Sequence, residues 1–205
     1  MVLKPYYEEP DEDQEEDRNE EDKGRSDSLT VKLLKTRSVL ISDVITKKLA
    51  ERVSQQLLLL DAESADPIKV FINSPGGDAD AGFAIFDMLR FVRSPIKTVA
   101  VGLTASAGSI ILLAAPKGSR YALPNARILI HQPSSAFQGD ATDVDIQARE
   151  ILRLKERGNR LMAEETGQSY EQVAMDTERD KWMYADEAKE YGLVDHIITR
   201  GEELE

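Results

Sequence analysis

Residues Gly102–Ser109, with the sequence GLTASAGS, crowd small side chains around one serine where a strand pattern gives way to a helix pattern. The apolar run TVAVG leads into this stretch and the apolar run IILLAA follows it. Small residues at such a junction either let two backbones pack closely or leave room for a ligand to reach Ser106. The stretch by itself leaves both interpretations open.

Strand and helix patterns alternate on both sides of this junction. Upstream, VKLLKTRSVLI predicts a strand, Thr46–Leu60 a helix, and PIKVFINS a buried strand that ends at a PGG turn. A second helix follows, with its apolar face at Ala81, Ala84, Ile85, Met88 and Val92. Downstream come the strand candidates RYALP and ARILIHQP, a long helix over about 142–165, two shorter helices, and the final strand VDHIIT. Strands that are continuously apolar and alternate with helices predict an α/β fold.

Composition excludes several kinds of site. A chain of 205 residues is one domain by default, and it contains no cysteine and two histidines, His131 and His196. Disulfides, thiolate nucleophiles and cysteine zinc sites are therefore excluded, and we expect no metal and no cofactor. No run approaches the ~18 apolar residues of a membrane span, and the start of the chain has no signal-peptide pattern. We expect no membrane association, and a location in the cytoplasm or, after removal of a targeting segment, in an organelle.

The net charge of −12 is concentrated at the beginning of the chain. Residues 1–27 hold 12 acidic and 4 basic side chains, which gives −8 and leaves −4 for the rest. This composition predicts a disordered acidic arm over 1–27, with the folded domain over 28–205. Such an arm repels nucleic acid, so we expect no nucleic-acid partner. It is either a solubilising tail or an electrostatic filter for substrates.

Two strand-to-helix junctions, Asn73–Asp78 and the one at Ser106, expose backbone N–H groups at helix N-termini. Such donors attract negative charge, including the oxyanion of an acyl-transfer transition state. A nucleophilic serine also needs a base within hydrogen-bond reach and an acceptor that orients the base. His131, at the end of an apolar strand, is either that base or a structural histidine, and Asp180 is one of many available carboxylates.

Five motifs in order make the chain resemble a known family. FINSPGGDADAG, GLTASAGSIILLAA, KGSRYALPNARILIHQP, FQGDATDVDIQAREIL and ERDKWMYADEAKEYGLVD resemble the proteolytic subunit of Clp proteases, from about Leu33 to Thr199. The resemblance implies a crotonase-like α/β fold of repeated ββα units with a protruding helix–strand handle. It also implies a serine endopeptidase in which Ser106 is the nucleophile, His131 the general base and Asp180 the orienting acid.

The same resemblance assigns further residues. The oxyanion donors would be the backbone N–H groups of Gly77 and Ala107, and Gly108 would let the helix begin tightly behind Ser106. Contacts between two rings are implied for Gln138, Gly139, Glu178 and Arg179. Docking of a chaperone is implied for Lys69, Phe71 and Phe91.

Two positions depart from the family pattern. The family usually has methionine after the nucleophile, so Ala107 predicts a smaller apolar wall and an altered preference at the S1 pocket, which holds the substrate side chain before the cleaved bond. Lys69 replaces an aromatic residue of the docking pocket, which weakens an apolar socket unless its stem packs and its ammonium group reaches solvent.

The resemblance implies partners as well. It implies two stacked heptameric rings, of one subunit type or mixed with a paralogous subunit, an AAA+ unfoldase chaperone, and unfolded proteins or peptides as substrates. Two alternatives stay open: a structural paralogue with little activity that only completes mixed rings, and a crotonase-fold acyl-CoA enzyme. A structural paralogue would not need the serine, the histidine and the aspartate together. An acyl-CoA enzyme would give the three residues no role.

Overall fold

The structure is a computed structural model that describes residues 29–134, 136 and 138–204. Residues 37–204 of this part form one compact unit, and residues 29–36 belong to another. The predicted acidic arm over 1–27 lies outside the described residues.

The first predicted strand is wrong in its first half. A helix, α1, covers 29–35, and only Ser38–Ile41 form strand β1. Between them Arg37 has φ +52°, which interrupts an extended backbone. β1 pairs in parallel with Lys69–Ile72 of β2.

A seven-stranded sheet in the order β1-β2-β3-β4-β7 organises the described residues of the second unit, and β5 and β6 branch from it. The further strands are β2 (Ile68–Ser74), β3 (Ile96–Ala105), β4 (Arg120–Ala122), β5 (Arg127–Ile130), β6 (Lys181–Tyr184) and β7 (His196–Ile197). All pairs are parallel except β5 with β6. β6 was not predicted, because its four residues become a strand only through pairing with β5.

Helices connect these strands close to where the apolar periodicity predicts them. They are α2 (Lys47–Glu63), α3 (Ala79–Phe91), α4 (Ala107–Leu112), α5 (Ala141–Thr166), α6 (Tyr170–Asp176) and α7 (Ala185–Tyr191). The apolar stripe of α2 is buried at Leu49, Val53, Leu57 and Leu60. In α3 the predicted face is only partly right, because Ala84 is exposed and Met88 half-buried, while Phe83, Phe86 and Leu89 are buried with Ala81 and Ile85. The family fold implied by the motifs is confirmed at the level of this mixed α/β architecture.

Strand β5 carries the arrangement on which the site depends. On one side Ala105 of β3 pairs with Leu129, so the next residue, Ser106, lies beside the end of β5. On the other side Ile130 pairs with Lys181 in antiparallel register. One step further along that register, His131 faces Asp180. The two pairings therefore bring three segments, distant in sequence, to one edge of the sheet.

Arg120 is a fully buried cation whose hydrogen-bond donors are used within the chain. Its Nε donates to the Ala115 carbonyl (2.7 Å), Nη1 to the Glu165 carbonyl (2.8 Å) and Nη2 to the Leu113 carbonyl (3.1 Å). Nη2 also pairs with the Glu165 carboxylate, which is shared with Arg90 at 2.7 Å. This cluster ties the end of α5 to β4 and α4.

We expect Arg120→Met to lower the free energy of unfolding by about 3 kcal/mol, because the carboxylate of Glu165 loses its buried partner while Arg90 remains. The matched control is Arg160→Met, which removes an exposed pair with Glu156 on α5. Its effect should not be measurable, since exposed ion pairs contribute little. Urea unfolding followed by circular dichroism, at one protein concentration, measures both. Equal midpoints for the two variants would contradict a stabilising role for Arg120.

Candidate active site

Ser106 lies on a strained turn between β3 and α4. It caps α4 with φ 55° and ψ −119°, a conformation that residues other than glycine rarely adopt. Its N–H donates to the Leu129 carbonyl (2.9 Å), and its own carbonyl accepts from the Ser109 N–H (2.9 Å) and Oγ (2.6 Å). The turn therefore holds the Ser106 side chain at the carboxyl end of β3.

Glycine is required at position 76, which packs against this turn. Gly76 has φ +93°, and a Cβ there would lie 2.6 Å from the Ser106 Cβ and 2.8 Å from the Ala105 carbonyl oxygen. The importance predicted for Gly108 is wrong, because a Cβ there would meet its nearest neighbour at an ordinary 3.6 Å. The close approach that the small residues allow is thus between Ser106 and the PGG turn.

The side chains of Ser106, His131 and Asp180 form a continuous chain of hydrogen bonds. His131 Nε2 lies 2.8 Å from Ser106 Oγ, and His131 Nδ1 lies 3.2 Å from Asp180 Oδ1. The His131 side chain is 28% exposed and that of Asp180 is 61% exposed. The structure thus brings together the three residues that the sequence singled out for nucleophilic catalysis.

A cluster of hydrogen bonds around Asp176 positions the segment that carries Asp180. The Asp176 carboxylate accepts from Lys181 Nζ (2.7 Å), Gln172 Nε2 (3.0 Å) and the Tyr191 hydroxyl (2.9 Å). Partial burial alone would raise the pKa of Asp176, but these donors outweigh it and the pKa is lowered. Burial, together with the same carboxylate, raises the pKa of Tyr191. The cluster joins both ends of the loop between α6 and β6.

Two residues with unused backbone N–H groups border the space beside Ser106. Gly77 and Ala107 line the same cleft as Ser106 and His131. Within the described residues, no hydrogen bond uses the N–H of either one. The Ile45 N–H donates to the Gly76 carbonyl (2.9 Å), and the Ile45 carbonyl accepts from the Asp78 N–H (2.8 Å). These bonds use the backbone groups on either side of the Gly77 N–H and leave that N–H available.

The cleft has a volume of about 770 Å³ and reaches from Ser106 to α5. Apolar side chains of Phe83, Ile110, Ile151, Leu154 and Met162 line it. Sequence reasoning missed Asn159, a buried residue of α5 that also lines the cleft. Its Oδ1 accepts from Thr177 Oγ1 (3.0 Å), while its Nδ2 has no partner among the described residues. A single polar residue on a mostly polar helix offers no signal in the sequence.

The residues predicted for ring contacts are exposed. Gln138 and Gly139 precede α5 and are not part of a strand, although the segment 137–139 resembles the strand of the family's handle. Phe137 lies outside the described residues. Glu178 accepts from Lys155 Nζ at 2.6 Å, which lowers the pKa of the Glu178 carboxyl. No ion-pair partner of Arg179 lies within the described residues.

The residues predicted for chaperone docking are divided between two places. Phe71 is partly buried against a cluster formed by Val99, Tyr121, Ile198 and Leu204, and Lys69 lies on the same strand, half-buried. Phe91, at the end of α3, is 74% exposed and is not part of that cluster.

The described residues contain neither a cluster of metal ligands nor a membrane-spanning helix. No three carboxylate or histidine side chains there are close enough together to hold a metal ion. None of the described helices combines the length and the apolar composition needed to cross a membrane.

Comparison with known proteins shows the family to which the chain is similar. Residues 19–201 match the family described as Clp protease. The chain is 48% identical over 190 residues to the ATP-dependent Clp protease proteolytic subunit 2 of Treponema denticola, which covers 91% of this chain and 95% of the relative. It is 48% identical over 189 residues to subunit 3 of Rhizobium meliloti, which covers 92% and 96%. A solved structure of a ClpP1 variant from Listeria monocytogenes superposes with a TM-score of 0.81 at 51% identity, covering 86% of this chain and 99% of the other.

We expect Gly76→Ala to slow the reaction of Ser106 with a fluorophosphonate probe about 100-fold, because the added methyl group displaces the serine. Gly118→Ala is the matched control, since Gly118 has a similar φ of +89° but no atom within 4 Å of an added Cβ. It carries the same backbone strain and should leave the labelling rate within about twofold. Labelling rates by mass spectrometry measure both, and equal slowing in the two variants would contradict the role of the Gly76 contact.

Proposed function

The chain belongs to the Clp protease family, and we propose that it is a serine endopeptidase subunit, itself independent of ATP, which cleaves unfolded proteins and peptides with Ser106, His131 and Asp180. The observation that carries the proposal is the continuous hydrogen-bond chain from Ser106 Oγ through His131 to Asp180. A hydroxyl is a weak nucleophile by itself, and a base in this position activates it.

The geometry supports a complete cycle of peptide hydrolysis, in which each proton that is removed is later returned. Ser106 Oγ attacks the substrate carbonyl while its proton moves to His131 Nε2, and the carbonyl oxygen becomes an oxyanion. The free N–H groups of Gly77 and Ala107 would stabilise that charge. His131 then returns the proton to the leaving amine, the peptide bond breaks, and an acyl-enzyme forms. Water, activated by the same histidine, releases the acid and restores the Ser106 hydroxyl.

Asp180 would orient His131 by accepting from Nδ1–H and would stabilise the imidazolium ion that forms. At 3.2 Å this bond is long, and the Asp180 side chain is mostly exposed. Catalytic hydrogen bonds are commonly long in the absence of substrate and shorten in the reacting complex.

The two alternatives explain less of the site. A structural paralogue would not need a serine and histidine 2.8 Å apart, held by a strained turn. An acyl-CoA enzyme of crotonase fold would use the two N–H donors but not the adjoining hydrogen-bond chain. Reaction of Ser106 with the fluorophosphonate probe separates the peptidase from both.

We infer that the peptidase acts within two stacked heptameric rings, of one subunit type or mixed with a paralogue, and receives substrates from an AAA+ unfoldase. The first half of α5 supports a contact between copies, because Val144, Ile146 and Leu152 are 36–62% exposed. Gln138 and Gly139 would extend the same contact.

Glu178 and Arg179 are proposed to couple that ring contact to the site. Asn159 and Lys155 connect α5 to this segment through Thr177 and Glu178. Since Asp180 follows directly, a partner carboxylate that binds Arg179 would fix the position of Asp180.

The chemical test is Ser106→Ala, which removes the attacking oxygen. We expect the hydrolysis of a small fluorogenic peptide to fall by about 10⁴-fold or more, because the members of a triad act as a unit. Ser134→Ala is the control, since Ser134 lines the same cleft without a place in the hydrogen-bond chain. It should keep nearly full activity. Substantial turnover by Ser106→Ala and by His131→Ala would overturn the proposal.

The coupling is tested by Arg179→Ala, with the exposed residue Arg52 of α2 changed to alanine as the control. We expect Arg179→Ala to lower peptidase activity and to shift the particle from double toward single rings, because its guanidinium would lose a partner across the contact. Native mass spectrometry and peptidase assays on the same fractions follow both properties. A loss of activity with the double rings fully retained would contradict the coupling.

A further inference from the structure

Asp180 makes few contacts of its own in the candidate triad. Its side chain is 61% exposed, and among the described residues its carboxylate has one hydrogen-bond partner, His131 Nδ1 at 3.2 Å. An exposed side chain with a single contact exchanges between rotamers, so its position depends on where the backbone places it. Whatever fixes the backbone at Asp180 therefore decides whether this aspartate can orient His131.

The backbone around Asp180 is a short loop that strand pairing does not hold. Residues 177–180, which we call the acid loop, connect α6 to β6. The ladder of β5 with β6 ends at the pair Ile130 and Lys181, one residue short of Asp180. Thr177 is buried, but the other three residues of the loop are exposed. Contacts from α5 reach the loop on one side, and the position of Asp180 depends on what holds the other side and the two ends.

Gln132, the residue after His131, holds the acid loop at two points. Its N–H donates to the Thr177 carbonyl at 2.6 Å, and its side-chain Nε2 donates to the Glu178 carbonyl at 2.8 Å. One residue thus binds two consecutive carbonyls of the loop. Because Gln132 adjoins His131, these bonds fix how the histidine and the acid loop lie relative to each other.

An ion pair joins the two ends of the acid loop. Asp176, the last residue of α6, accepts from Nζ of Lys181, the first residue of β6, at 2.7 Å. The Asp176 side chain is 13% exposed, and the ammonium group also lies over the ring of Tyr191, 4.9 Å from its centroid. Partial burial and the second contact make this pair stronger than one on the open surface. The pair therefore fixes the distance between the ends of the loop.

Resting on the proposed function, we propose that Gln132, Asp176 and Lys181 are positioning residues for peptide hydrolysis that act through Asp180. None of the three lines the cleft beside the nucleophile, so none is placed to touch the substrate. Together they hold the acid loop where the Asp180 carboxylate can accept from the histidine. When they release the loop, the serine and the histidine keep their hydrogen bond but lose the orienting acid.

Action through Asp180 limits what each positioning residue can contribute. Its loss cannot lower activity by more than the loss of Asp180 does, and it should lower activity very little once Asp180 is gone. Two changes that act through one group are non-additive in this way. A residue that only stabilises the fold would instead lower activity by the same factor with and without Asp180.

The first test changes Gln132 to methionine, which keeps the backbone N–H and nearly the same length but removes the Nε2 donor. We expect kcat for the fluorogenic peptide to fall about tenfold while KM stays within about twofold, because no substrate contact is lost. Gln55→Met is the matched control, since Gln55 is an exposed glutamine of α2, and it should change neither constant.

The decisive measurement repeats Gln132→Met in a protein that already carries Asp180→Ala. The rate of fluorophosphonate labelling at Ser106 compares the four proteins, because labelling can be followed when turnover is slow. With Asp180 present, Gln132→Met should slow labelling about tenfold, and without Asp180 by less than about twofold.

The ion pair is tested in the same way with Lys181→Met. This change should slow labelling about tenfold, again only when Asp180 is present. Lys181→Arg keeps a charge within reach of Asp176 and should restore the rate to within about threefold of the parent protein. Lys189→Met is the matched control, because Lys189 is an exposed lysine of α7, and it should have no effect.

Unchanged rates in both Gln132→Met and Lys181→Met would overturn the inference, and so would equal slowing with and without Asp180. If the parent protein hydrolyses the peptide and reacts at Ser106 while these variants match it, the inference fails and the proposed function stands. A parent protein that shows neither reaction would overturn the proposed function itself.

Discussion

The pairing of β5 with two neighbours is the constraint on which the site depends. β3 fixes one edge of β5 in parallel register and β6 fixes the other in antiparallel register. A shift of one residue in either pairing would turn the side chains to the opposite face of the sheet. Ile128, Leu129 and Ile130 are all buried, so β5 is packed on both faces and a shift would force each of these side chains into a space shaped for another. The geometry of the candidate triad thus rests on the same apolar burial that stabilises the sheet.

The strained backbone of Ser106 is held in place by hydrogen bonds and by close packing. Ser106 adopts a backbone conformation that costs on the order of 1–3 kcal/mol for a residue with a side chain. Hydrogen bonds to Leu129 and Ser109 hold that conformation, and Gly76 packs against it without a side chain. A sharp turn between strand and helix presents a serine oxygen away from the sheet while the first N–H groups of the helix stay free. The backbone strain at Ser106 and the partial exposure of this residue therefore have one origin.

Helix α5 connects the sheet to the segment of Asp180. Its end is attached through Glu165 to the buried Arg120, and its middle contacts the Asp180 segment through Asn159 and Lys155. Its first half has no buried residue and exposes apolar side chains. A rigid helix that is attached at one end and open at the other is suited to carry a contact made outside the subunit to the site.

The sequence by itself determined most helices and strands, because their apolar periodicity is strong, and its motifs identified the family and the three residues Ser106, His131 and Asp180. Only the tertiary structure decided what depends on partners distant in the chain. β6 is a strand because β5 pairs with it, β1 is short because Arg37 interrupts it, and glycine is needed at position 76 rather than 108 because of what packs there. The burial of Asn159 and of Leu204 likewise results from contacts with residues that no local pattern relates to them. Apolar periodicity indicates which face of a helix or strand is buried. Strand register and packing decide which residues that face contacts.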